Sequence, residues 1–173
     1  MKLFIASDIH GSAYYCRKML EKFNESGAER LVLLGDILYH GPRNDLPREY
    51  APKEVIAMLN ALSDKIIAVR GNCDTEVDQM VLTFPILSEE GMIADGEHRL
   101  FLIHGHKNLD ARAELLGKGD VLLYGHTHVP SEAEGKRGCR ILNPGSVSIP
   151  KENSAHAYML YENGEFSRHS VDD

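Results

Sequence analysis

The sequence predicts an α/β fold in which two β-sheets pack face to face and carry their helices on the outside. Three observations lead there. The first part of the chain alternates strand-type and helix-type segments, the second part is richer in strands, and no repeat, low-complexity tract or linker divides them. A chain of 173 residues is read as a single domain over 1–173, long enough to bury a proper core.

Each element has its own signal. Lys2 to Ser7 is an apolar β-type run, and Ser12 to Glu25 places Tyr15, Met19, Leu20 and Phe23 at helical spacing before the stop at Gly27. Arg30 to Leu34 is a second buried strand. A loop rich in Gly, Pro and charge follows (39–50), then a helix from Pro52 to Leu62 with proline suited to its first turn. Lys65 to Val69 is the third strand, and this order predicts a parallel sheet with helical crossovers. Beyond it, Gly91 to Ala94 and Arg99 to Ile103 flank a turn at Asp95-Gly96. A helix from Leu109 to Leu116 precedes a strand from Asp120 to Tyr124. Short strands are expected at Arg140 to Leu142 and Val147 to Ile149. A closing hairpin runs from Ala155 through Asn163-Gly164 to Ser170.

Composition narrows the class. With 43% hydrophobic and 26% charged residues the chain is globular, neither disordered nor membrane-spanning, and no apolar run approaches the roughly 20 residues a membrane helix needs. The N-terminal run turns polar at Ser7-Asp8-Ile9-His10, unlike a signal peptide. Cys16, Cys73 and Cys139 are odd in number and widely spaced, which disfavours a disulfide framework or thiolate zinc site and predicts a cytoplasmic protein. A net charge of −7 with no basic stripe disfavours general nucleic-acid binding, but a metal-bearing cleft within such a chain can still attract a phosphorylated substrate.

The informative pattern is that metal-binding residue types recur just after strands. Asp8-Ile9-His10, Gly35-Asp36, Gly71-Asn72, His104-Gly105-His106 and Gly125-His126-Thr127-His128 each follow a strand run. Ligands of parallel α/β sheets gather outside the carboxyl ends of the strands, so five sequence-distant loops can meet at one edge. In extended segments residues i and i+2 face one way, so Asp8 converges with His10 and His126 with His128. The neighbouring glycines let backbone crowd inward through positive-φ turns. Carboxylate, imidazole and amide oxygen without thiolate suit a catalytic divalent site of Mn²⁺, Fe, Ni²⁺, Co²⁺ or Zn²⁺. Asp-x-His or Gly-Asp alone says little; all five motifs in order, each at a strand end, are a strong signal.

These motifs, together with Gly71-Asn72-Cys73-Asp74, resemble the calcineurin-like metallophosphoesterase superfamily. The segments His40-Gly41-Pro42-Arg43-Asn44, Ala68-Val-Arg-Gly-Asn-Cys-Asp and Asn143-Pro-Gly-Ser-Val-Ser-Ile-Pro150 resemble its small bacterial phosphodiesterase branch. The resemblance implies a four-layer α/β/β/α sandwich holding two divalent cations, with Mn²⁺ foremost. It implies Asp8, His10, Asp36 and His128 as ligands of the first ion and Asp36, Asn72, His104 and His126 as ligands of the second, Asp36 bridging. His106 matches no ligand position and is expected beside the substrate, with His40, Arg43 and Asn44 as substrate contacts from a lid-like loop.

The expected reaction is phosphodiester hydrolysis by a metal-bridging hydroxide, acting on a small diester and served catalytically by Asp36, Asn72, Cys73, Asp74 and His104. Cys73 is the departure from the family, many of whose members carry histidine there to help the leaving group depart. A thiol, with an ordinary pKa of about 8.5, is a poor hydrogen-bond donor and no substitute for an imidazolium. Weak general-acid assistance then favours diesters with good leaving groups over monoesters. Asp74 is expected to orient a ligand or Cys73. Two alternatives stand beside this reading: a phosphomonoesterase or nucleotidase, and a non-catalytic interaction scaffold of the same fold. No membrane partner is expected, and homo-oligomerisation is left open.

Overall fold

Along strand β1 (Lys2–Ala6), Leu3 and Ile5 point to one side and Phe4 and Ala6 to the other, and all four are fully buried. A strand buried on both faces needs cover on both faces, and this one alternation sets the layering. The computed structural model describes residues 1–173. Phe4 and Ala6 pack with Leu31 and Leu33 of β2 (Arg30–Leu33) under helices α1 (Ala13–Ser26) and α2 (Pro52–Asn60). Leu3 and Ile5 pack with Val32 against Leu100 and Leu102 of β5 (His98–Ile103), Val121 and Leu123 of β6 (Asp120–Leu123) and Leu142 of β8 (Arg140–Asn143). A third cluster, Ile103, Leu122 and Cys139 with Ala113 and Leu116, lies beneath helix α4 (Leu109–Leu115). The layers therefore run helix, sheet, sheet, helix, as expected.

The first sheet has the order β10-β9-β1-β2-β3, with β3 at Ile66–Ala68, β9 at Ala157–Glu162 and β10 at Glu165–Ser170. Strands β1, β2 and β3 are parallel, and the β9–β10 hairpin joins β1 antiparallel. The second sheet has the order β4-β5-β6-β8-β7, with β4 at Glu90–Asp95 and β7 at Ser131–Glu134. Here β5, β6 and β8 are parallel and both edge strands antiparallel. Two bundles of parallel strands thus send their carboxyl ends into one set of loops.

Helix α1 begins where the sequence indicates: the Ser12 side chain accepts from the Tyr15 N–H (3.2 Å), and Gly27 ends the helix in the left-handed region (φ 69°). One local expectation is corrected, and two short elements lie outside the sequence reading. Val147 to Ile149 forms no strand. Ser146 Oγ accepts from the Ser148 and Ile149 N–H groups and donates to the Asp8 carbonyl, so a side chain takes the place of a ladder partner. Strand β7, Ser-Glu-Ala-Glu, is a mostly exposed edge with no apolar alternation to announce it. The four-residue helix α3 (Glu76–Gln79) was also unforeseen, although Thr75 and Asp78 form a capping box around its first turn.

Candidate metal centre

Asp8, His10, Asp36, His104 and His128 are each no more than 2% exposed, although each carries a polar or ionisable side chain. Burial of such groups is costly unless they are paired, so their arrangement is informative. His10 Nδ1 donates to the Tyr39 carbonyl, His104 Nδ1 to the Leu34 carbonyl and His128 Nδ1 to the Ile149 carbonyl, all at 2.6 Å. A carbonyl only accepts, so these bonds place the proton on Nδ1 and turn the Nε2 lone pair inward.

The inward atoms converge. His10 Nε2 and His128 Nε2 lie 3.1 Å apart, and Asp8 Oδ1 is 3.5 Å from the first and 3.2 Å from the second. Asp8 Oδ1 is buried and receives no hydrogen bond, whereas its Oδ2 is held by Ser7 Oγ (2.6 Å) and the His126 N–H (3.0 Å). Asp36 Oδ2 stands between the two halves, 3.7 Å from His10 Nε2 and 3.3 Å from His104 Nε2. Asn72 Oδ1 lies 3.1 Å from His104 Nε2, and His126 completes a group with Asp36 and His104 whose ligand atoms all lie within 4.8 Å of one another. Lone pairs that close, with no donor among them, repel unless a cation stands between them. The donor set fits divalent metal ions: Asp8, His10, Asp36 and His128 on one side, Asp36, Asn72, His104 and His126 on the other.

Protonation behaviour follows the same geometry. Burial works to raise the Asp8 carboxyl, but contacts with His10, His128 and His104 prevail and hold it below the ordinary carboxylate range. Asp36 follows suit: burial opposes, and the bond with His104 carries it downward. Burial would lower His104, but Asp36 and Asp8 lift it to about 9.

Backbone conformation explains how neighbouring residues reach different ligand groups. Asp8 (φ 58°), His10 (φ 49°), Asp36 (φ 56°), His126 (φ 64°) and His128 (φ 61°) are all left-handed. This corrects the extended-segment argument. Asp8 and His10 do converge, but through a turn, while His126 and His128 diverge into separate groups. Asp and His tolerate this region better than most residues, at a cost of roughly 1–2 kcal/mol each. Gly71 and Gly125 serve differently. A Cβ on Gly71 would run into the Asp36 carboxylate, and one on Gly125 into Ser7 Oγ.

The sequence profile of the calcineurin-like phosphoesterase superfamily domain matches residues 1–165. The chain is also 49% identical over its full length to phosphodiesterase YfcE of Escherichia coli K12, covering 94% of that protein. This chain belongs to the calcineurin-like phosphoesterase superfamily. The solved structure of YfcE, described as a phosphoesterase from E. coli, superposes with a TM-score of 0.90 at 47% identity, over 99% of this chain and 94% of the other. Phosphodiesterase MJ0936 of Methanocaldococcus jannaschii is 30% identical over 152 residues, 84% of this chain and 83% of that protein.

Within this superfamily member the remaining candidate residues sort clearly. Asp74 is buried and touches none of the inward atoms; its Oδ2 accepts the N–H groups of Asp36 (2.8 Å) and Gly71 (2.7 Å), and its Oδ1 that of Ile37 (2.9 Å). Cys73 donates its backbone N–H to Asp36 Oδ1 (2.8 Å), and its thiol receives the Asn72 amide at 3.3 Å. Burial, then the Asp36 charge, pushes that thiol up to about 12, so it stays protonated. A cavity of about 320 Å³ opens over the site, lined by His10, Asp36, Asn72, Cys73, His126 and His128 together with Arg43, Asn44 and Lys151. His40 lies outside this cavity, its ring edge-on to Tyr39 and Tyr50 and its carbonyl accepting from the Asn44 amide (2.9 Å). His106 lies beside His104 and His126, at centroid distances of 5.4 and 6.0 Å, and lines a neighbouring cleft with Glu89 and Lys107 and not the cavity over the site. Lys151 escaped the sequence reading. Its one signal was its place immediately after the Asn143–Pro150 motif. Asn143 itself is structural, its amide bonding the Gly125 carbonyl (2.7 Å) and Thr127 Oγ1 (3.0 Å).

Proposed function

We propose that this chain is a metal-dependent phosphodiesterase, one domain over residues 1–173, that hydrolyses small diesters in the cytoplasm with Mn²⁺ as its working ion. The observation that carries the reading is the convergence of buried acceptor atoms, with Asp8 Oδ1 lacking any donor and Asp36 Oδ2 placed between two histidine groups. A pair of divalent cations, when bound, supplies Lewis acidity toward phosphoryl oxygens and makes water a stronger nucleophile near neutral pH.

The chain's own residues do the rest. Asp8, His10, Asp36 and His128 would hold one cation, and Asp36, Asn72, His104 and His126 would hold the other. The Nδ1–H bonds of His10, His104 and His128 to carbonyls fix ring orientation before any ion arrives. Asp74 ties the Asp36 turn to the Gly71 turn and so sets the spacing between the halves. Arg43, Asn44 and Lys151 face the anionic ester from the cavity wall. Cys73 stays neutral and offers the leaving oxygen little help, so diesters with good leaving groups react in preference to monoesters.

The test is turnover of bis-p-nitrophenyl phosphate by chelator-treated protein before and after Mn²⁺ is restored, with p-nitrophenyl phosphate in parallel. The reading expects diester turnover that appears with the metal and exceeds monoester turnover. Two ions bound without turnover of either ester would favour an interaction scaffold of this fold.

A further inference from the structure

An apolar groove adjoins the candidate metal centre. It encloses about 350 Å³, and Tyr39, Tyr50, Ile56, Val77 and Val81 supply much of its lining. Asp78 is the one charged residue on its walls, and no lysine or arginine lines it, so nothing there recruits an anion. Cys73 lines this groove and the polar ligand cavity alike. Its Sγ lies within 4.8 Å of ligand atoms of both His10 and Asp36. One thin side chain therefore separates the ionic space from the apolar one.

The surrounding surface is also unusual. Eight large hydrophobic residues of the chain are exposed, and five of them (Tyr39, Leu46, Val77, Met80 and Val81) fall on the two segments that border the groove. Single exposed apolar residues need no explanation, whereas a concentration of them beside a cleft does. A cavity of about 150 Å³ accepts a benzene-sized molecule, so this one has room for a substituted ring or a branched alkyl chain.

We propose that the groove seats an apolar arm of the substrate: the phosphoryl group sits in the polar cavity while an aromatic or aliphatic ester group lies against Tyr39, Tyr50, Val77 and Val81. The inference rests on the phosphodiesterase reading and adds the substrate class, diesters with at least one apolar arm. A second copy of the chain is the rival occupant of this face. The wall shared with the ligand cavity favours the substrate arm, because a surface used only for packing has no need to border that cavity.

The test uses the metal-loaded full chain and two ligands whose P–C bonds resist ester hydrolysis, phenylphosphonate and methylphosphonate, with binding measured by calorimetry. The wild-type chain is expected to bind phenylphosphonate about tenfold more tightly, equivalent to about 1.4 kcal/mol. Val77→Asp, at a position 69% exposed on α3, should erase that preference while leaving methylphosphonate binding unchanged, and Val77→Ile should keep it. Unfolding temperature checks that the variants fold; Val81→Asp repeats the test if Val77→Asp does not. Equal affinity of the wild-type chain for the two phosphonates, with bis-p-nitrophenyl phosphate still turned over, overturns the groove assignment alone. Absence of both phosphonate binding and diester turnover overturns the phosphodiesterase reading and the groove with it. A wild-type dimer that Val77→Asp dissociates in sedimentation gives the face to a second copy and also overturns the proposal.

Discussion

Replacing Asp74 probes how the site is held together without touching a candidate ligand. The carboxylate receives three backbone N–H groups, from Asp36 and Gly71 on Oδ2 and from Ile37 on Oδ1, and is only 1% exposed. Asparagine has a single acceptor oxygen. Its best placement puts that oxygen where Oδ2 was, preserving two bonds and turning the amide NH₂ toward the Ile37 N–H. One hydrogen bond to a charged acceptor is then lost and a buried donor is left without a partner, a cost of roughly 1.5–3 kcal/mol. Alanine strands all three donors and should cost at least about 3 kcal/mol. In thermal unfolding of the metal-free protein, Asp74→Asn should therefore lower Tm by roughly 4–10 °C, and Asp74→Ala by more. Calorimetric titration should show weaker Mn²⁺ binding for both, because the Asp36 turn loses its anchor to the Gly71 turn. Asp74→Asn within about 0.5 kcal/mol of wild type, with unaltered metal affinity, would refute the claim that this carboxylate sets the site's geometry.

Other perturbations test neighbouring links. Gly71→Ala should cut Mn²⁺ affinity tenfold or more, since the added methyl meets the Asp36 carboxylate; overpacking should also cost roughly 1–3 kcal/mol in urea unfolding. Cys73→His should raise the monoester-to-diester activity ratio roughly tenfold or more by restoring a general acid, and an unchanged ratio removes the leaving-group argument. Cys16 gives a pH dependence away from the site. Burial pushes its thiol up to about 12 from an ordinary 9.0, so between those values the unfolded chain has lost a proton that the folded chain keeps. Stability must then fall as pH rises through that window, by about 2 kcal/mol at pH 10.5 relative to a Cys16→Ala variant whose other groups titrate alike. Parallel stability curves for the two proteins between pH 8 and 10.5 would contradict it.

Much of the fold was legible because its strands are buried on both faces. Behind one charged residue each, Lys2–Ala6, Arg30–Leu33 and Asp120–Leu123 read as apolar runs, and each is followed by a polar motif that marks the edge of its sheet. What escaped detection lacked an apolar pattern: β7 is a mostly exposed Ser-Glu-Ala-Glu edge, and α3 has four residues and none buried. The Val147–Ile149 strand was expected from its β-type residues, but Ser146 and Ser148 donate their hydroxyls to the Asp8 carbonyl and hold the segment as a loop under the site. That the site's side chains gather at one edge was legible from residue types at strand ends. Its conformation was not, because the positive φ of Asp8, His10, Asp36, His126 and His128 follows from tertiary hydrogen bonds between loops, such as Asp8 N–H to the Gly35 carbonyl and His10 N–H to the Asp36 carbonyl. Lys151 was not singled out because its one signal, a place directly after the Asn143–Pro150 motif, is weak for an exposed lysine that otherwise resembles any surface cation.

The account rests on Asp36 as a shared carboxylate between two cation sites. Diffraction from Mn²⁺-soaked crystals, recorded at a wavelength where manganese scatters anomalously, addresses it directly. Two anomalous peaks per chain are predicted, one among Asp8, His10 and His128 and one among Asn72, His104 and His126, with the Asp36 carboxylate in contact with both. A single peak, or two peaks of which Asp36 touches only one, would contradict it.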